Sequence, residues 1–462
     1  MMKRLLSSVL AATFTTTLLA LPAGSATPGH LDPSDAANIS TSYGYLTTEY
    51  YKKVDPQVVL DGVHAALQAA LKHAGVKDLA IPNEHAGENA STNVRSIDLE
   101  VEAAQRDAGS KVSITDLSYA AIAGMMGSVH DRYTVFLSPK EFAELNNSLD
   151  GGDFGGTGIV IQSDESTKYI AVSNVVPDGP AEKAGIQQDD LIVGIDGNST
   201  KGWTTDRASG HLRGKEGTKV TLTIQRAGKV LPPITLTRAK IHQLSVFDKM
   251  LPGDIGYVAV TVFGRDTGSE LQTALERLRK RGAKAYIMDL RDNGGGYLDA
   301  AVAVSSLFIS SGPIVSVESR ASNITTLEAS DTAIPPVPLA VLVNQYTASA
   351  SEITSGAIQD SGVGTIIGTK TFGKGVVQTI YPLSDHAAVK ITTARYLTPH
   401  NRDINHLGIT PDVIVDENKG ARFGDPAKDM QLQKAMAFVT GRLAQLDAPI
   451  ATPAAASMNS NP

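Results

Sequence analysis

Two serines stand in Y-T-A-S-A-S-E-I-T, residues 346–354, with no histidine or cysteine beside them. The apolar run Leu339–Val343 before them reads as a buried strand, and a helical pattern begins near Ser349. A serine at such a corner lies next to unpaired backbone N–H groups at the positive end of a helix dipole. The Ala350 amide can then face charge developing on a substrate carbonyl, while small neighbours let a peptide backbone approach. The plainer alternative is that Ser349 or Ser351 merely caps the helix.

A nucleophilic serine needs a base. The 10 histidines form no triad signature, and neither HExxH nor another metal pattern is present. The other basic candidate is a neutral lysine. The segment G-T-K-T-F-G-K-G-V-V-Q-T-I provides Lys370 and Lys374. From Lys374 onward the residues alternate as in a strand, which places Lys374, Val376 and Gln378 on one face. Burial disfavours an ammonium, and bringing its pKa from ~10.4 toward 7–8 takes roughly 3–5 kcal/mol of differential environment. Gln378 can orient the amine, and Gly373 and Gly375 leave room for an approaching backbone. Lys370, in the turn before, is expected to be solvated. Gly368-x4-Gly373-Lys374 nearly spells a phosphate-binding loop, but Gly375 replaces the required Ser or Thr and a strand follows instead of a helix. In D-L-R-D-N-G-G-G-Y-L, residues 289–298, three glycines follow a buried-type strand and can free an amide for a ligand, or simply make a tight turn.

These segments belong to an alternation of strands and helices from Ile255 onward: strands at 255–262, 283–290, 339–343, 363–367, 376–380 and 388–393, helices at 267–281 and 298–309. That pattern predicts an α/β core. Between 150 and 240 the chain changes to short strands and two brief helices behind a glycine-dense turn, a self-contained module. Ahead of it, Asp55-Pro56 reads as a helix start, with Val58, Leu60, Val63, Leu67 and Leu71 as an apolar stripe. Residues 82–95 read as a polar loop, 117–129 as a helix, and Ser138-Pro139-Lys140-Glu141 as a capping box opening a helix to Leu149. A closing helix is expected over 425–446, followed by a disordered tail.

Lys3 and Arg4, the moderately apolar Leu5–Leu21, and Gly24 and Ala26 before residue 27 have the form of an export signal, residues 1–26. The chain has no cysteine, which excludes disulfides and thiol catalysis and suits an oxidising compartment. Its net charge is −7, and loss of Lys3 and Arg4 leaves 39 basic against 48 acidic residues. Nothing there favours a nucleic-acid surface.

Together the motifs resemble the C-terminal processing peptidases, serine proteases with a Ser–Lys pair and an inserted PDZ domain. The likeness spans roughly residues 115–415. Its pieces run in the family's order: G-M-M-G-S-V-H-D-R-Y-T-V-F-L-S-P-K-E-F, F-G-G-T-G-I-V-I, G-P-A-E-K-A-G-I, M-D-L-R-D-N-G-G-G, T-A-S-A-S-E-I, G-T-K-T-F-G-K-G-V-V-Q and L-G-I-T-P-D-V-I-V. The resemblance implies a multidomain α/β (α+β) protease core of crotonase-like type over 111–149 and 241–418. It also implies a PDZ domain over 150–240, while the helical patterns outside it predict an N-terminal helical region over 27–110 and a C-terminal helix and tail over 419–462. It selects Ser349 as nucleophile, Lys374 as base, Gln378 as its assistant, and Gly295 with Ala350 as oxyanion donors, with Ser351 left as a cap. It implies that Gly156, Thr157, Gly158 and Ile159 bind a peptide C-terminus, that Arg213 couples the PDZ domain to the site, and that Asp360 matches a position of debated importance. Metals and cofactors are not expected. Expected partners are proteins with accessible C-termini, a second copy of the chain bound through the terminal helices, and an unidentified adaptor. Export would place the enzyme in the periplasm, cell envelope or medium. The rival expectation is an inactive PDZ scaffold that binds C-termini. One departure is Arg132 in place of a proline in His130-Asp131-Arg132-Tyr133-Thr134, expected to leave the catalytic pair untouched.

Overall fold

The computed structural model describes residues 31–447, apart from 78, 151–153, 165, 177–178, 243, 321–322 and 419–423. The proposed export signal and the tail beyond 447 lie outside the described residues.

Four helices open the described chain: α1 (Pro33–Glu49), α2 (Pro56–His73), α3 (Ala90–Ala108) and α4 (Ile114–Ser128). Asp32 and Asp55 cap α1 and α2 through their carboxylates, each followed by proline at the first helical turn. α3 starts inside the stretch read as a loop. Asn89 Oδ1 accepts the Thr92 N–H at 3.0 Å, and Ile97, Val101, Ala104 and Ala108 bury one face. Polar residues dominated the window and masked that period. The buried stripe of α2 is Val59, Leu60, Val63, Leu67 and Leu71, whereas Val58 is exposed. The stripe packs within the same chain, against α3 and α4, in an apolar core that also takes in Leu383, Ala387, Val389 and Ile391. It is therefore not a free surface for a second copy. α2 and α4 meet at Gly62 and Gly124, where a Cβ on Gly62 would come 2.7 Å from Gly124 O.

The core sheet has six strands in the order Val246–Leu251, Ile255–Val260, Ala285–Asp289, Leu339–Val343, Thr365–Gly368 and Val413–Ile414. Every pair after the first is parallel. Helices Thr267–Lys280, Leu298–Ser306 and Ala350–Ser361 cover one face with a large apolar core. Helix Met430–Asp447 covers the other through Leu432, Ala435 and Val439. A second sheet joins Val135–Leu137, Ala388–Leu397, Pro313–Ser319 and Ile324–Glu328, with Val376–Pro382 forming an antiparallel hairpin on Ala388–Leu397. This second sheet also carries the N-terminal helices: Tyr51 N–H donates to Thr392 O at 2.9 Å, and the Tyr119 hydroxyl to Asp385 at 2.7 Å.

In the 150–240 region, strands Ile159–Ser163, Ile170–Val175, Leu191–Ile195 and Lys219–Arg226 form an antiparallel sheet around its own apolar core, with helices Pro180–Lys183 and Thr205–Leu212. Strands Phe154–Gly156 and Ala239–Ile241 pair with each other where the chain enters and leaves it.

Candidate active site

The corner after strand Leu339–Val343 is fixed by a short network. The Asn344 N–H donates to Thr347 Oγ1 at 3.0 Å, the Thr347 hydroxyl to Leu290 O at 2.8 Å, and the Ala348 N–H to Asn293 O at 3.0 Å. Ser349 then takes φ 58° and ψ −118°, and the helix runs from Ala350. A side-chain-bearing residue held in that region costs of order 1–3 kcal/mol and persists only where its surroundings hold it. Such a strained strand-to-helix corner presents a hydroxyl outward. Ser351 is not the cap expected of it. It is buried in the helix, and its hydroxyl donates to Asn293 O at 3.0 Å.

The restraint on Ser349 comes from Glu352, a fully buried carboxylate. Its Oε2 accepts the Ser349 N–H and the Lys374 N–H, both at 2.9 Å. Its Oε1 accepts the Gly373 N–H at 2.7 Å and the Thr371 hydroxyl at 2.5 Å. One side chain thus joins the serine corner to the lysine loop. The Tyr396 hydroxyl makes a second bridge, 3.1 Å from Ser349 O and 2.5 Å from Lys374 O.

Lys374 lies just ahead of strand Val376–Pro382, not within it. Gly373 and Gly375 do not leave space for substrate, because backbone of residues 405–408 fills it. A Cβ on Gly375 would meet Asn405 N at 2.6 Å. Lys374 is half-buried, with its Nζ 4.9 Å from the centre of the Tyr133 ring. Burial first, then the charge of Lys390, pushes its pKa down to about 8. Arg132 adds to this, while Glu352 and Asp131 oppose it. The segment Asp131–Tyr133 therefore does touch the candidate base. Arg132 stacks on Tyr133 and on Phe372, at 4.7 and 5.0 Å. Lys370 is exposed.

Gln378 Nε2 donates to Thr392 Oγ1 at 3.2 Å, and that hydroxyl donates to Asp131 Oδ2 at 2.5 Å. The chain fixes which end of the amide faces Thr392 and leaves Oε1 to accept elsewhere. Ser349, Ala350, Lys374, Gln378, Lys390 and the three glycines 294–296 all line one cavity of about 790 Å³. Among the described residues, no hydrogen bond joins the Ser349 hydroxyl to the Lys374 amine.

Gly295 is pressed against the corner. It has φ 98°, and a Cβ there would lie 2.7 Å from Ala348 O and 2.8 Å from Ala350 N. Its N–H does not point freely into the cavity. It donates to Asn293 Oδ1 at 2.9 Å, and Asn293 Nδ2 in turn donates to Val260 O at 2.6 Å. Arg291, just upstream, is fully buried between Asp289 and Asp429, tying this turn to the closing helix. Asp360 sits at the far end of the serine's helix, ~16 Å along it. There it accepts the His400 N–H at 2.8 Å and pairs with Arg402, which makes it a fastener of the 398–402 turn.

A second cavity of about 380 Å³ is lined by Thr157, Gly158, Ile159 and Arg213, with Phe247 and Thr261 from the core. Gly156 is not in its wall and pairs instead with Ala239. The Arg213 guanidinium lies over the Phe154 ring at 4.4 Å. Thr261 lines both cavities. The sequence motifs did not single out Glu352, Asn293, Lys390 or the Thr392–Asp131 link. Only Glu352, three residues after Ser349, carried a local signal, as the acid of a capping box.

The model of peptidase family S41 matches residues 254–415, and that of the PDZ domain residues 148–225. A carboxyl-terminal-processing protease of Synechocystis sp. is 37% identical over 71% of this chain and 78% of its own length. One from Picosynechococcus sp. is 35% identical over 70% and 80%. Among solved structures, a photosystem II D1 C-terminal processing protease is 29% identical, over 83% of this chain and 94% of that one, with a TM-score of 0.45.

Proposed function

Because the chain belongs to peptidase family S41, as a serine-type carboxyl-terminal-processing peptidase with a PDZ domain, we propose that Ser349 and Lys374 form its catalytic pair. Ser349 attacks the peptide carbonyl, and neutral Lys374 takes its proton and returns it to the leaving amine. Gln378 orients the amine through Oε1. The Ala350 amide holds the oxyanion, joined by Gly295 once its N–H leaves Asn293. The observation that carries this is one cavity wall holding a strained serine, an amide at a helix start and a lysine whose pKa is pushed down to about 8.

The PDZ domain, over about 150–240, captures a substrate C-terminus at Thr157–Ile159. Arg213 couples its position to the site, and Thr261 passes the chain from one cavity to the other. The core over 111–149 and 241–418 is of crotonase-like type, and the helices over 27–110 brace it. The enzyme acts after export. Its resting state is gated: Ser349 and Lys374 are not hydrogen-bonded and the Gly295 amide is engaged, so substrate capture must complete the site. The test is degradation of a protein with an accessible C-terminus by wild type, Ser349→Ala and Lys374→Ala. Loss of turnover in both variants, with folding retained, is the expected result. Full activity in either refutes the pair, and no turnover by wild type would instead favour an inactive scaffold.

A further inference from the structure

Lys390 has no part in the catalytic scheme, yet it lines the same cavity as Ser349 and Lys374. It is half-buried on strand Ala388–Leu397. Among the described residues its ammonium has no hydrogen bond and no ion pair. The acid closest to it electrostatically, Asp131, is already engaged. Its oxygens accept the Tyr133 N–H at 3.0 Å, the Thr134 hydroxyl at 2.9 Å and the Thr392 hydroxyl at 2.5 Å. Burial lowers the Lys390 pKa from the ordinary lysine range, and Asp131 only partly opposes this. An unpaired, partly desolvated ammonium is unfavourable until an anion reaches it.

The rest of the wall sharpens the point. Among the described residues, Lys374 and Lys390 are the only charged ones lining this cavity, whose other walls include Leu145, Val262, Leu298, Ile353 and Ile380. With Lys374 neutral, as the base must be, Lys390 is the single charge that a substrate meets. We propose that Lys390 is a carboxylate-binding subsite of the substrate cavity, about two residues along an extended chain from Gln378. This rests on Ser349 being the nucleophile.

The distance follows from the hairpin register. Thr392 stands opposite Gln378, and Lys390 opposite Ile380, two residues further on. Residues two apart share a face, so Lys390 extends the row of Gln378 and Thr392 by about 7 Å. An extended peptide advances about 3.4 Å per residue. A peptide group beside Gln378 therefore lies about two residues along an extended chain from one beside the ammonium. The ligand is a carboxylate, either an acidic side chain or the substrate's own terminus.

The experiment compares peptides that differ at one position, with Ala, Asp or Lys scanned up to three residues on either side of the cleaved bond. Each is made with a free or an amidated C-terminus. Wild type should prefer a carboxylate over its neutral counterpart in kcat/KM by about 10- to 100-fold at one position, the range of a hydrogen bond to a charged group. A preference for Asp identifies a side chain; a free-acid preference identifies the terminus only in the part that Lys390→Gln removes, since capture at Thr157–Ile159 also favours a free C-terminus. Lys390→Gln should abolish an Asp preference or reduce a free-acid one, Lys390→Glu disfavour the carboxylate further and Lys390→Arg retain the wild-type preference. Any effect of Lys390 on the base acts equally on both peptides and cancels in the ratio. The same ratio is read from peptide dissociation constants in a Ser349→Ala background, so slow or absent turnover in a Lys390 variant does not matter. No carboxylate preference in wild type, or one that Lys390→Gln leaves undiminished, overturns the subsite. Undiminished cleavage by Ser349→Ala overturns the catalytic reading instead.

Discussion

Replacing Glu352 by glutamine removes one charge and almost no volume, from a carboxylate that four donors already share. Glutamine keeps one carbonyl oxygen and turns the other acceptor into a donor pair. Its least costly orientation keeps oxygen toward the Ser349 and Lys374 amides and aims the NH₂ at Thr371 and Gly373. The Thr371 hydroxyl can rotate to accept, but the Gly373 N–H cannot. One buried donor thus loses its acceptor, at about 1–3 kcal/mol, and the surviving bonds lose their charge assistance. A total near 2–5 kcal/mol is a large part of a typical domain's 5–15 kcal/mol. The catalytic effect should exceed what stability alone explains. Oε2 sets the spacing of the Ser349 and Lys374 backbones, and a shift of order 1 Å at a reacting pair costs ~100-fold. A pH profile separates this from generic damage. Lys374 must be neutral, so activity in wild type rises through its pKa of about 8, and the Glu352 charge holds that pKa up against burial. Without that charge, the acid limb of kcat/KM should move to lower pH while kcat falls. Peptide hydrolysis between pH 6 and 10, together with thermal unfolding, measures both. A variant with kcat within about threefold of wild type and an unmoved acid limb would refute the bracing role.

Three further outcomes are expected. Ser349→Gly relieves the backbone at φ 58°. It should raise stability by about 1 kcal/mol as it ends turnover, and an unchanged or lower Tm would count against stored strain. Lys374→Met removes a charge whose folded-state pKa is depressed, so the ammonium's full cost applies below about pH 8 and fades as pH rises toward the unfolded ~10.4. The inactive variant should therefore unfold at a higher temperature than wild type at pH 7, with the gap closing above pH 8, and a gap independent of pH would contradict the lowered pKa. Gly295→Ala places a methyl group against Ala348 O, Ala350 N and Ser349 Cβ and demands a left-handed backbone of alanine. Loss of at least 100-fold in kcat is expected, and wild-type kinetics would show that the turn is not rigidly packed on the corner.

Much of the protein is legible in the sequence because its signals are local. Strand and helix periods from 255 onward, the proline start of α2, the turn glycines and the capping box at Ser138 all arise from neighbouring residues and the backbone's own hydrogen-bonding needs. Ser349 and Lys374 could be singled out because a strand-to-helix corner and a glycine-flanked lysine are themselves local patterns, and family resemblance then chose between neighbouring serines and lysines. What failed depended on distant parts of the chain. α3 was hidden because Ile97, Val101 and Ala104 become a core face only when α2 and α4 cover them. The apolar stripe of α2 looked like an oligomer surface because nothing near it in sequence shows that α3 and α4 lie over it. Gly373 and Gly375 looked like room for substrate, but it is the 405–408 backbone that occupies the space.

The sequence by itself determined that a serine stands at the start of a helix and offered a glycine-flanked lysine as its candidate base, since both follow from residue type and short-range spacing. Only the tertiary structure decided what lowers the pKa of that lysine. Its low pKa needs burial, Lys390 from the opposing strand and Arg132 from more than 240 residues upstream, set against Glu352 and Asp131. A charge's free energy depends on distance and dielectric surroundings in three dimensions, and neither is written in the order of the residues.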